Sequence, residues 1–200
     1  MGSEMCIRDR KTFEGQVTRM KQNTDKDFVF LCAATFDGPS LIKQVRNAGE
    51  NTPILASESM DGNFWLEAVP NLSEFYLTVY GSMFGNDPNP RINDYVTKYT
   101  EMHGQAPFTA HSMTGYSLME AWALAAERAG SFDSDAIRQE LDKFDNEDLL
   151  VGPTSYTPDL HINLYRGMQI MEVQNGKHAP ITRYTAETVS YTHLTLPTKA

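Results

Sequence analysis

The chain has 200 residues, 40% hydrophobic and 22% charged, which is enough apolar material for one or two packed domains. With 17 Lys and Arg against 26 Asp and Glu, a net charge of -9 and no basic cluster, it has nothing to neutralise a phosphate backbone, so no nucleic acid is expected as a partner. Its most apolar stretches, such as Phe28 to Ala34, fall far short of the roughly 18 residues that a membrane-spanning helix needs.

Residues 1–10 and 190–200 carry no periodicity that continues into the body and look like translated read-through of a sequencing adapter, so both flanks are expected to be non-native. Any export signal would then lie upstream of the residues seen here. Phe13, Val17 and Met20 recur at helical spacing and predict a short amphipathic helix to about Asn23. Asp27 to Ala34 is a continuous apolar run, the pattern of a strand covered on both faces. Asp37 is placed to cap a following helix with Leu41, Ile42, Val45 and Ala48 inward, Pro39 in its first turn and Gly49 as its stop. Thr52 to Ser57 reads as the next strand, which makes a βαβ crossover.

A short helical stretch near Phe64 to Ala68 precedes a third strand, Glu74 to Tyr80, closed by Gly81. Asp87-Pro-Asn-Pro opens a helix with Ile92, Tyr95, Val96, Tyr99 and Met102 on one stripe, ending at His103-Gly104. Thr109 to Ala129 is apolar nearly all round and is expected to be a largely buried helix. Ser131 to Asp135 caps a helix with Ile137, Leu141 and Phe144 inward. Strand-like segments follow at Thr154 to Tyr156, Met168 to Val173 and Pro180 to Tyr184, with a hairpin turn at Gln174-Asn-Gly-Lys. The pattern is α/β, yet it has few strands for such large apolar helices.

Chemical motifs are sparse. Cys6 and Cys32 make no disulfide framework; Cys32, inside an apolar strand, is expected to be an inert thiol. His103, His111 and His161 form no helical i, i+4 metal pair, and no Gly-x-Ser-x-Gly, Walker loop or Gly-x-Gly-x-x-Gly is present. Neither a catalytic residue nor a cofactor or metal is expected.

Asp27-Phe-Val-Phe with Lys-Gln-Val-Arg-Asn-Ala-Gly up to residue 49, Pro-Ile-Leu-Ala-Ser-Glu-Ser-Met-Asp-Gly at 53–62, Asp-Pro-Asn-Pro at 87–90, Tyr116 leading into Ala-Glu-Arg-Ala-Gly-Ser at 126–131, and Val-Gly-Pro-Thr-Ser-Tyr with Asp159-Leu-His follow one another in a set order. Together they resemble the branched-chain amino-acid (leucine/isoleucine/valine-binding) type of periplasmic substrate-binding proteins that serve ABC transporters, over about residues 11 to 187. The resemblance implies a type I periplasmic-binding-protein fold, two Rossmann-like lobes with a hinge and a ligand cleft between them. Such proteins are about twice this length, so the chain would be a C-terminal fragment. Residues 11–81 and 167–187 would form the second lobe and 82–166 part of the first, with the crossing near Gly81.

In an open α/β sheet, ligands gather at the carboxyl ends of the strands, where loops converge and helix N-termini present unpaired N–H groups. Two loops qualify. Ala34 to Gly38 offers the Thr35 hydroxyl and the Phe36 ring; the resemblance places an aromatic lid in this loop, at Ala34 by direct alignment, so Phe36 would have to take that role. In Ser57-Glu58-Ser59-Met60-Asp61-Gly62 a carboxylate at a strand end is well placed to pair with an ammonium group. The resemblance puts Glu58 where the ligand's α-amino group is bound, while Glu58 as a solvated loop charge and Asp61 as a cap remain open. Ser57, Asp61 and Tyr80 complete the candidate ligand-binding set, and Met83 lies near the presumed crossing.

The implied protein is a periplasmic or extracellular solute-binding protein, possessing no chemistry of its own and monomeric when complete, that delivers an amino acid or small amide to a membrane permease; a lipid anchor is compatible with it. Two alternatives stand beside it: the ligand-sensing domain of a receptor or regulator with the same fold, and a flavodoxin-like enzyme using Glu58 or Asp61 as general base.

Overall fold

The computed structural model describes residues 12–33, 36–163 and 166–185. Both flanks expected to be non-native lie outside the described residues. The elements run α1 (Glu14–Gln22), β1 (Val29–Leu31), α2 (Gly38–Asn47), β2 (Ile54–Ala56), β3 (Phe75–Val79), α3 (Pro90–His103), α4 (His111–Ala129), α5 (Ser134–Leu141), β4 (Glu147–Leu149), β5 (Gly152–Thr154), β6 (Met168–Gln174) and β7 (Lys177–Tyr184). Short 3₁₀ turns cover Glu58–Met60 and Leu66–Ala68.

Five strands form one sheet in the order β1-β2-β3-β6-β7. The first three are parallel, with Leu31 opposite Ala56 and Ala56 opposite Leu77, and β6 joins β3 antiparallel with Val79 opposite Gln169. The expected βαβ crossover is β1-α2-β2. β6 and β7 meet at Asn175-Gly176, both with positive φ (51° and 70°), the turn that matches strand twist in a tight hairpin. β4 pairs with β5 in a separate two-stranded sheet, and the strand expected at Thr154 to Tyr156 is displaced to Gly152–Thr154.

The chain divides into two compact units, Met1–Ser112 with Gln169–Thr182, and Met113–Met168 with Arg183–Ala200. In the first, one sheet face supplies Leu31, Ile54, Ala56, Phe75, Leu77, Val79, Met171 and Val173 to the core, which also holds Ile42 and Val45 of α2. Arg46 fastens the end of α2 to the strand starts: its guanidinium donates to the carbonyls of Glu50 (2.9 Å), Thr52 (3.0 Å), Ser73 (3.2 Å) and Glu74 (3.2 Å). Only a planar fork with five donors can serve four carbonyls at once. Before α3, the buried Asp87 accepts from the backbone N–H of Ser82 (2.6 Å) and Asn89 (2.8 Å), and Asn89 caps the helix by accepting from Arg91 N–H (3.0 Å).

In the second unit Ala121, Ala125, Ala126, Ile137, Phe144 and Leu149 form the core. α5 begins as expected, with Asp133 accepting from the N–H of Asp135 and Ala136. Glu120 and Ser117 of α4 accept from the N–H of Leu150 (2.7 Å) and Val151 (3.4 Å), which seats the β4-β5 turn.

Five expectations need correction. The β1 region is covered on one face only, since Leu31 is buried while Phe28 and Phe30 are exposed; β1 is the sheet's edge strand. Cys32, just past it, is exposed rather than enclosed. Asp37 stands at the start of α2, but with helical backbone angles (φ -107°, ψ -28°) its side chain makes no capping bond. α4 is not largely buried: the stripe Met113, Ser117, Ala121, Ala125 is covered, whereas Tyr116, Leu118, Met119 and Trp122 are exposed. Met102 of α3 likewise leaves its stripe for solvent.

Candidate ligand-binding site

Because β1, β2 and β3 are parallel and in register, the loops that follow them leave from one edge of the sheet. Phe36, Ser57 to Gly62 and Tyr80 are therefore brought to the same edge, as their positions after strands predicted. Thr35, with Ala34, lies outside the described residues.

The loop after β2 is held by hydroxyls. Ser57 caps the 3₁₀ turn, with its Oγ 2.8 Å from Ser59 Oγ, and Ser59 Oγ donates to the Ala33 carbonyl beyond β1 (2.7 Å). The two loops are thus tied together at their bases. Glu58 opens the turn in a half-buried position, and its carboxylate makes no hydrogen bond or ion pair among the described residues. Phe36 is 92% exposed.

Asp61 differs from Glu58 in every respect. It is 3% exposed, with Oδ1 accepting from Gly62 N–H (2.8 Å) and Oδ2 from Ala110 N–H (2.5 Å), so it braces the β2 loop against the segment before α4. Burial raises its pKa, opposed by those two N–H groups and by the nearby His111. Past it, Gly62 has φ 99°, and a Cβ there would lie 2.9 Å from the Phe108 carbonyl oxygen and 2.9 Å from the Phe64 ring. Glycine alone permits this approach.

Two features had no signal in the sequence. The rings of Phe64 and Phe108 stack, with centroids 4.2 Å apart and planes at 17°, and the Tyr80 ring lies 5.9 Å from that of His111. Phe64 reads locally as part of a helical stretch and Phe108 as a lone aromatic before a helix; only the fold places them side by side. Met83 is buried. His161 pairs instead with Asp142, Nε2 to Oδ1 2.9 Å, in the second unit. Among the described residues no three His, Cys, Asp or Glu side chains converge to hold a metal ion, and no helix is long and apolar enough to cross a membrane.

A family model described as periplasmic binding protein matches residues 9–178. Among solved structures, the leucine-binding protein LivK of Thermotoga maritima is 21% identical with a TM-score of 0.72, covering 88% of this chain and 49% of its own. The branched-chain amino acid binding protein LivJ of Streptococcus pneumoniae, solved with isoleucine, is 20% identical (TM-score 0.75; 90% of this chain, 51% of its own). A fatty acid ABC transporter substrate-binding protein from Thermomonospora curvata is 20% identical (TM-score 0.72; 90% and 48%). No curated protein matches. The chain spans about half the length of these structures, and at such identities the likeness concerns the fold.

Proposed function

The chain belongs to the periplasmic binding protein family, and from that membership we propose that the complete protein is an extracytoplasmic solute-binding protein of an ABC importer, which takes up an amino acid or related small amide and delivers it to a membrane permease. On this reading the chain is the C-terminal half. Residues 11–81 and 167–187 belong to the second lobe and 82–166 to the first, whose remaining part supplies the groups that hold the ligand's α-carboxylate. Solved structures of about twice this length support reading the chain as half of a longer protein.

The observation that carries the proposal is Glu58, a carboxylate on a 3₁₀ turn at the carboxyl edge of a parallel sheet, half-buried and without an intramolecular partner among the described residues. A charged group in that position is satisfied by an incoming ammonium, and such charge-assisted bonds are about twice as strong as neutral ones. Ser57 and Ser59 orient the turn, and Thr35, Phe36 and Tyr80 are the further candidates for ligand contact. Asp61, with both oxygens already engaged, fixes the loop's shape. Binding involves no covalent step: a ligand that touches both lobes favours the closed arrangement by its differential contacts, and the permease reads that arrangement.

Calorimetry on the complete protein with an amino-acid panel tests this. Glu58→Gln keeps the shape and removes the charge, and should weaken amino-acid binding about tenfold to a hundredfold, the worth of a hydrogen bond to a charged group. Equal binding by both proteins removes Glu58 from the site.

A further inference from the structure

A cavity of about 590 Å³ opens in the first unit between the end of α2, Asn51 and residues 68–74. That volume lies within the range of small-molecule sites, about 300–1,000 Å³. Its place in the fold separates it from Glu58. Asn51 precedes β2 and Glu74 precedes β3, so the cavity lies where the parallel strands start, whereas the loop with Glu58 leaves from where they end.

The frame of the cavity is set in advance. Arg46 grips four carbonyls, and Glu74 is held at φ 53°, a left-handed backbone angle unfavourable for a side chain of its size. It is held there because its carbonyl accepts from both Arg46 (3.2 Å) and Ile54 N–H (2.9 Å). The buried Val69 and Leu72 give the lining its apolar part.

The polar part of the lining has donors to spare. The side chains of Lys43, Asn47, Asn51 and Asn71 make no hydrogen bond or ion pair among the described residues. The acidic groups nearby are already engaged: the Glu74 carboxylate accepts from Tyr76 Oη (3.1 Å) and Gln174 Nε2 (3.2 Å), and Glu50 pairs with Lys26 (2.8 Å). On a chain of net charge -9, this corner offers a cation beside three carboxamides and an apolar wall. An ammonium ligand would be repelled by Lys43, and a neutral one would leave its charge unused. A carboxylate uses that charge, in hydrogen bonds about twice as strong as neutral ones, and an aliphatic body attached to it covers the apolar wall.

We propose that this cavity is a second binding site, for a small organic monocarboxylate with an aliphatic body. The site is separate from the solute site and does not rest on the reading given for Glu58. The test is calorimetric titration of the complete protein with hexanoate, 1-hexanol and hexylamine, which have the same chain and differ in head-group charge. Hexanoate should bind about tenfold or more tightly than hexanol, and hexylamine should not bind measurably. Lys43→Gln should weaken hexanoate about tenfold, while Lys98→Gln, which removes an equal charge from the exposed surface of α3, should leave it within about twofold. If circular dichroism shows Lys43→Gln to be unfolded, Asn71→Ala takes its place, with a loss of about threefold to fivefold expected. Absence of hexanoate binding, hexanol or hexylamine binding as tight, or a hexanoate affinity that survives the loss of Lys43 overturns the second site. Each of these leaves the amino-acid titrations that read Glu58 untouched.

Discussion

His178 is a residue whose surroundings decide its chemistry. Both ring nitrogens are buried and the ring stacks on Phe84, with centroids 4.6 Å apart and planes at 15°. Burial lowers its pKa from 6.5 to about 4, the Gly62 backbone pulling weakly the other way. The folded state therefore binds fewer protons than the unfolded chain between these values, so the stability His178 contributes is present above pH 6.5 and is lost as pH falls toward 4. Glu50, held down to about 2 by Lys26 and Thr52, acts in the same direction but only below its ordinary 4.5. Asp61, raised by burial, acts oppositely: stability falls as pH rises through its range. A comparison of variants isolates the histidine. His178→Phe should keep the stack and remove on the order of 2 kcal/mol of the stability change between pH 7 and pH 5, measured by urea unfolding; an unchanged difference would mean that His178 is not the titrating group. None of this was visible in the sequence, where the histidine is one residue after a hairpin turn. Glu58 was visible, because a carboxylate just after a predicted strand needs no tertiary information to be placed at a sheet edge.

At the scale of elements, the βαβ crossover and the hairpin follow from local pattern, while the limits of burial do not. The Asn-Gly pair predicted the turn between β6 and β7, and the fold adds a second requirement: Gly176 N–H donates to the Leu72 carbonyl (2.8 Å), and a Cβ on Gly176 would collide with the Pro70 carbonyl oxygen. Gly176→Ala thus meets both a left-handed backbone and a backbone collision. It should lower stability by about 2 kcal/mol or more, above the usual ~1 kcal/mol of a turn glycine, as read from the urea midpoint. A midpoint equal to wild type would show that the 70–72 segment gives way freely. For α4, composition predicted burial all round because Leu, Met, Trp and Ala share its faces. The helix instead buries one stripe, Met113, Ser117, Ala121 and Ala125, whose small residues allow close approach, and leaves Tyr116, Leu118, Met119 and Trp122 outside.

At the scale of the whole molecule, each unit leaves apolar surface uncovered: Phe28 and Phe30 along β1 in the first, and Leu118, Met119 and Trp122 along α4 in the second. Isolated exposed apolar residues are ordinary, but contiguous sets signal a missing cover. The proposal that this is half of a two-lobed protein accounts for both sets, and it predicts that the 200-residue chain binds a hydrophobic dye and self-associates. A monodisperse monomer with a cooperative melt and no dye binding, measured by ultracentrifugation and calorimetry, would contradict the half-protein reading.

By itself the sequence determined what short-range pattern controls: the α/β class, the parallel crossover, most helix limits and the loop carrying Glu58, since strand ends, caps and turns are written within a few neighbouring residues. Only the tertiary structure decided what long-range contact controls. It set the antiparallel addition of β6 to β3, the bracing of two loops by Asp61 and the pairing of Phe64 with Phe108, because each joins segments that no local periodicity connects. It also decided which faces of β1 and α4 are covered, since burial depends on what packs against a surface and not on how apolar that surface is.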